Sequence, residues 1–231
     1  MIPQREFSTS ISRLDVVFLW HRVGWMRAGR SGLSYRHRVS FAGLVLAGGE
    51  GRRFGGPKAF ARLPDRLTFL EACCRILGEA GARPVAATLP PGFTAEWVPA
   101  MRPLPLPGPG FDMLGSLRWG LRHLISELGW AAVVMLPVDH PLVSPESVVT
   151  LTQIEAPVVI PTFGGKHGHP ILLGRAVAEG IAREEIDGAT VREVLGSMGA
   201  VDVEVDDPGV TANCNTPGAL REAIKRVNSQ F

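Results

Sequence analysis

Short apolar runs alternate along the chain with segments whose apolar residues recur every three to four positions. The runs fall at 41–47, 84–89, 131–136, 157–161 and 200–205. Their length and their Val, Leu, Ile and Ala content mark them as strands. The periodic segments at 67–80, 113–128, 145–154, 174–183, 189–198 and 216–227 predict helices. This alternation predicts an α/β fold, a three-layer sandwich whose mostly parallel, Rossmann-like sheet carries helices on both faces. The run 131–136, AAVVML, suits a central strand buried on both sides.

Punctuation supports the same layout. The Pro/Gly-rich stretch 103–110 predicts a loop, and 164–170, GGKHGHP, predicts a glycine-rich turn between two short strands. Asp206-Asp207-Pro208-Gly209 reads as a turn with solvated acids. Asp112 suits a helix N-cap, and Ser144-Pro145 and Thr216-Pro217 each place a capping hydroxyl before a proline at the first helical position.

Composition narrows the class. A chain of 231 residues with 45% hydrophobic and 20% charged residues is enough for one sizeable domain, expected over 39–231. The net charge of +2 is too small to point to nucleic acid, and it is unevenly spread. Residues 1–40 hold seven arginines against Glu6 and Asp15, a local +5, which leaves the remainder at −3. The basic stretch 1–38 is expected to be a mobile extension, or the product of an upstream start codon with Met26 or a later codon as the real start. No apolar run is long enough for a membrane span. Three cysteines, Cys73, Cys74 and Cys214, form neither a disulfide framework nor a metal-ligand spacing, which fits reduced thiols and a cytoplasmic home.

The candidate chemistry centres on the loop after the first strand, Leu46-Ala47-Gly48-Gly49-Glu50-Gly51-Arg52-Arg53-Phe54-Gly55-Gly56-Pro57-Lys58. Glycines let the backbone approach a ligand closely and turn successive N–H groups toward an anion. Arg53 and Lys58 add positive charge, so the loop suits a triphosphate. It is not a Walker loop, since Ala59 follows Lys58, and it lacks the last glycine of the dinucleotide fingerprint. Asp139, between Pro137 and Pro141, follows the central strand. A carboxylate at a strand end beside polyphosphate is a natural Mg²⁺ ligand, and Ser144 is better placed to cap the next helix. Both the loop and Asp139 lie beyond carboxyl ends of strands, where ligands bind in such sheets. His140 is read as a local contact.

Four segments then match one family in order. The glycine loop resembles the nucleotidyltransferase signature, with Phe54 in the place of a methionine. Pro137-Val138-Asp139-His140-Pro141 resembles its metal-binding element, Gly168-His169-Pro170 its Gly-His-Pro segment, and Asn213-Cys214-Asn215-Thr216-Pro217 its closing Asn/Asp-x-Asn/Asp-Thr-Pro. The chain over 41–228 thus resembles the MobA-like NTP transferases, which attach GMP or CMP to molybdopterin. The resemblance implies the sheet of the nucleotide-diphospho-sugar transferase type. It implies nucleotide binding by Leu46, Ala47, Gly48, Gly49, Gly51, Arg53, Lys58, Gly115 and Ser116, and acceptor binding by His169, Asn213 and Asn215. Lys58, Arg53 and Asp139 are the expected catalytic residues, with Mg²⁺ on Asp139.

Two features depart from the family. Ala86-Ala87-Thr88-Leu89-Pro90 stands where it has an Asn-containing segment that contacts the nucleotide. The aspartate ahead of its Gly-Pro loop is absent unless Asp112 replaces it. Leu46–Gly49 and the paired asparagines resemble guanylyl members, while Gly115-Ser116-Leu117 and Asp207-Pro208-Gly209-Val210 resemble cytidylyl members, and the balance falls on CTP. The expected reaction is transfer of a nucleotidyl group to a phosphorylated acceptor, molybdopterin, with a molybdoenzyme as a further partner and none in nucleic acid or membrane. The alternatives are a sugar- or alditol-phosphate nucleotidyltransferase and a non-catalytic, nucleotide-binding subunit that delivers molybdenum cofactor.

Overall fold

The computed structural model describes residues 39–49, 51 and 56–229. Among these residues, eight strands and six α-helices follow in the order β1 (Phe41–Leu46), α1 (Phe69–Glu79), β2 (Val85–Leu89), β3 (Met101–Pro105), α2 (Met113–Leu124), β4 (Ala132–Pro137), α3 (Pro145–Leu151), β5 (Val158–Phe163), β6 (Lys166–His167), β7 (Ile171–Gly174), α4 (Arg175–Ala182), α5 (Val191–Gly196), β8 (Val201–Glu204) and α6 (Pro217–Asn228). The helices begin where the sequence supplies caps. Asp112, Ser144 and Thr216 each accept the backbone N–H three residues on, and Thr68 with Glu71 closes a reciprocal capping box at α1.

The strands form one sheet in the order β3-β2-β1-β4-β7-β5-β6, with β8 also on β5. Strands β1 to β4 run parallel, β7 runs antiparallel to both β4 and β5, and β8 is parallel to β5. Pleating sends alternate residues of β1 and β4 to opposite faces. Phe41, Val45, Val134 and Leu136 meet α1, α3 and α6 in one core. Ala42, Leu44, Val133 and Met135 meet α2, α4 and α5 in the other. The three-layer sandwich expected from the sequence is therefore present.

The stretch 103–110 is not wholly a loop. Pro103, Leu104 and Pro105 belong to β3, which pairs with β2 alone at the sheet edge. An edge strand leaves one row of backbone groups unpaired, so it tolerates prolines that a central strand would exclude. Asp207 departs from expectation too. It is buried at 6% exposure rather than solvated, whereas Asp206 is exposed.

Candidate nucleotide-transfer site

Register brings the site together. Leu46, the last residue of β1, lies directly beside Pro137, the last of β4. The glycine loop and Asp139 therefore leave the sheet side by side. Because β7 is antiparallel to β4, its first residue, Ile171, lies beside Met135, so the preceding His169-Pro170 enters from that same end. The segment carrying Asn215 arrives there as well, because the Cys214 N–H donates to the Asp139 carbonyl at 2.8 Å.

At this end lies a cleft of about 350 Å³ lined by Leu46, Gly48, Gly49, Gly51, Lys58, Phe111, Asp112, Met113, Ser116, Pro137, Val138, Asp139 and Asn215. Gly51 has φ +62°, and a Cβ there would fall 1.9 Å from the Gly56 carbonyl oxygen. Only glycine permits this turn. Ala47 is buried beneath the loop, its N–H donating to the Thr88 carbonyl at 3.1 Å and to the Thr88 hydroxyl at 3.3 Å.

At the centre, the Lys58 ammonium lies 3.0 Å from Asp139 Oδ2 and also donates to Asn215 Oδ1. Both oxygens thus converge on one positive centre. Among the described residues no three His, Cys, Asp or Glu side chains gather to hold a metal ion. One carboxylate and one amide oxygen do, however, fit a Mg²⁺ that takes its other ligands from phosphate and water. Lys58 itself bridges these two oxygens rather than standing free for phosphates.

Next to Asp139, the His140 and His169 rings meet edge to face, with centroids 4.7 Å apart. His140 is 4% exposed, and the Nδ1 atoms of both rings are buried with no hydrogen-bond partner. Burial, and then the neighbouring His140, push the His169 pKa down to about 3, against a weaker opposite pull from Asp139. At neutral pH His169 is an uncharged imidazole, so it can meet an acidic acceptor through hydrogen bonds and not as a cation. The Cys214 thiol under the same segment is pushed up to about 11, chiefly by burial.

Of the residues singled out from sequence, Leu46, Gly48, Gly49, Gly51, Lys58, Ser116, Asp139 and Asn215 border the cleft. Ala47, Gly115, His169 and Asn213 do not. Gly115 lies behind the lining, its N–H on Asp112 Oδ1 at 2.7 Å, and Asn213 is exposed. Arg53 lies outside the described residues. Sequence reading passed over Phe111 and Met113, which form an apolar wall. Met113 stays 48% exposed at the first turn of α2, which its apolar character alone does not announce.

A glycine loop, a strand-end carboxylate and a lysine in one cleft at the carboxyl ends of β1 and β4 define a nucleotide-handling α/β protein. The sequence model of the MobA-like NTP transferase domain matches residues 43–202, and the chain belongs to that family of nucleotidyltransferases. It is 30% identical over 198 residues to the "Probable molybdenum cofactor guanylyltransferase" of Mycobacterium avium (strain 104), covering 79% of this chain and 94% of that protein. It is 32% identical over 187 residues to the molybdenum cofactor guanylyltransferase of Cereibacter sphaeroides, covering 78% and 94%. A nucleotidyl transferase structure from Methanothermobacter thermautotroptrophicus superposes with a TM-score of 0.66 at 15% identity, covering 83% of this chain and 99% of that one.

Proposed function

We propose that this protein transfers GMP from GTP to the terminal phosphate of molybdopterin, releasing pyrophosphate. The observation that carries this reading is the convergence of Lys58, Asp139 and Asn215 beside the glycine loop. Guanylyl over cytidylyl transfer is supported by the names of the curated relatives; the short Gly-Ser-Leu and Asp-Pro-Gly-Val likenesses that favoured CTP carry less weight than matches over most of the chain.

In this reading the glycine loop receives the triphosphate and Lys58 gives up its bridge to follow the phosphates. Lys58 and Arg53 then stabilise the charge that grows on them. A phosphate oxygen of the acceptor attacks the α-phosphorus, the bond to the bridging oxygen breaks, and pyrophosphate leaves. That oxygen is already ionised at neutral pH, so the site needs no general base. Asp139 and Asn215 would hold Mg²⁺, which when bound supplies charge neutralisation at the phosphates. His169 and the Asn213–Asn215 segment face the acceptor side.

Pyrophosphate release from each of the four NTPs, with Mg²⁺ and with or without molybdopterin, tests this. Release that requires GTP and molybdopterin together is expected. Release with CTP instead would reverse the base assignment, and release with a sugar phosphate would reverse the acceptor. GTP bound with no release under any condition would leave a delivery subunit as the better reading.

A further inference from the structure

The buried carboxylate of Asp207 lies outside the cleft and takes no part in the reaction above. Its three hydrogen bonds nonetheless tie the start of α3 to the turn that bonds His169. Oδ2 accepts the Ser144 backbone N–H at 2.8 Å and the Ser147 hydroxyl at 2.8 Å. Oδ1 accepts the Gly209 N–H at 2.7 Å. One carboxylate thereby joins the start of α3, just beyond the 139–141 segment, to the short 3₁₀ turn Pro208–Thr211. A buried carboxylate with three well-placed donors is a strongly held group.

That turn is what carries His169. The Val210 carbonyl accepts the His169 N–H at 2.8 Å. At Gly168 a Cβ would sit 2.3 Å from the same Val210 oxygen, so the two chains touch backbone to backbone. The His169 ring then rests on His140, beside Asp139. A few residues past the turn, the Cys214 N–H holds the Asp139 carbonyl, which places Asn215. A continuous path thus runs from Asp207 through Gly209 and Val210 to His169.

We propose that Asp207 is a positioning residue for the acceptor side of the site, setting His169 relative to Asp139. This rests on the reading that the cleft transfers a nucleotidyl group to an acceptor beside His169. Among the described residues, Asp207 makes no bond to the glycine loop or to Lys58. Its loss should therefore weaken acceptor use and spare nucleotide binding. Misplacement by an ångström or so can cost on the order of 100-fold in rate, so a rise in acceptor KM on the order of 10-fold or more is expected for Asp207→Ala. Asp207→Asn keeps one carbonyl acceptor and Ser147→Ala removes one donor, so both should give smaller changes in the same direction.

The test combines acceptor KM, GTP affinity by calorimetry and thermal midpoint for Asp207→Ala, Asp207→Asn and Ser147→Ala in the full chain. A second arm combines Asp207→Asn with His169→Ala. Because Asp207 acts through His169, the double variant should be no worse in acceptor KM than His169→Ala alone. Full additivity would overturn the proposal. So would a parallel loss of GTP affinity and acceptor use, which is the mark of general destabilisation. A third arm needs no turnover, namely the imidazole NMR signals of His169 and of His123, a distant control on α2. Asp207→Asn should displace the His169 signals and leave those of His123 in place. If wild type releases no pyrophosphate with any acceptor, the transferase reading falls, and unmoved His169 signals would separately overturn the positioning role.

Discussion

Two hollows of the molecule have opposite characters. The cleft at the carboxyl ends of β1 and β4 holds about 350 Å³. The other, about 510 Å³, lies against α1 and the starts of β2 and β3, and is bordered by Glu71, Cys74, Arg75, Glu79, Arg83 and Pro84 among others. The larger one also has the more charged rim. Its charges, however, are engaged elsewhere. Glu71 closes the capping box of α1, Arg83 donates to the Gly78 and Ala82 carbonyls, and Arg75 leans toward Glu79 at 3.9 Å. In the smaller cleft a cation and two oxygens from three distant parts of the chain meet at one point. Convergence of unlike groups on a shared centre separates a reaction site from a hollow, and volume does not.

The sharpest way to break this contrast is to remove a converging group. Asp139→Asn should cut pyrophosphate release by on the order of 100- to 1,000-fold with little change in thermal midpoint, since among the described residues its side chain bonds only to Lys58. Turnover near the wild-type rate would show that the cleft is not the reaction site. Lys58→Ala should come close behind in rate. It should also leave Asp139 and Asn215 without their bridge, so Mn²⁺ binding in the absence of nucleotide, followed by electron paramagnetic resonance, should strengthen. Weaker Mn²⁺ binding in that variant would mean that these two oxygens do not form the cation position.

That convergence was only partly legible in the sequence. The strand-end positions of the glycine loop and Asp139 followed from apolar runs and the general rule for parallel sheets, and the Leu46–Pro137 register bears them out. The Asn215 link to Lys58 spans 157 residues, and no local pattern encodes it. Asp207 was misread for a related reason. Asp-Asp-Pro-Gly is turn chemistry by composition, and what buries one aspartate and not the other is the arrival of α3, about sixty residues earlier in the chain, with two donors. β3 was missed because its prolines forbid a central strand, while nothing local announces an edge. Phe111 and Met113 were missed because an apolar side chain reads as core until its exposure is known.

A smaller effect concerns the buried imidazole of His169 and pH. His169 has a folded-state pKa of about 3 against 6.5 in the unfolded chain. Above about 6.5 both states leave it neutral and it contributes no pH dependence. As pH falls below that value the unfolded chain takes up a proton that the folded one refuses, so stability drops progressively toward pH 3. Urea midpoints measured across this range should therefore fall with acid in the wild type and fall less steeply in His169→Gln. An identical slope in the two proteins would mean that the imidazole titrates normally and is not enclosed as the geometry implies.

The smallest expected effect lies in the second hollow and tests the comparison from its other side. Arg83→Ala removes donors to two carbonyls at an exposed position, a change that should cost about 0.5 kcal/mol or less. Cys74, whose thiol burial pushes up to about 12, should stay protonated and react slowly with iodoacetamide at pH 8, since the thiolate is the nucleophile. The Arg83 change should alter neither GTP affinity nor pyrophosphate release, because no hydrogen bond or ion pair described for Arg83 reaches the glycine loop, Lys58 or Asp139. A change in GTP affinity from Arg83→Ala would show that the two hollows communicate through α1 and β2, and the distinction between a site and a mere hollow would then have to be drawn for the sheet as a whole.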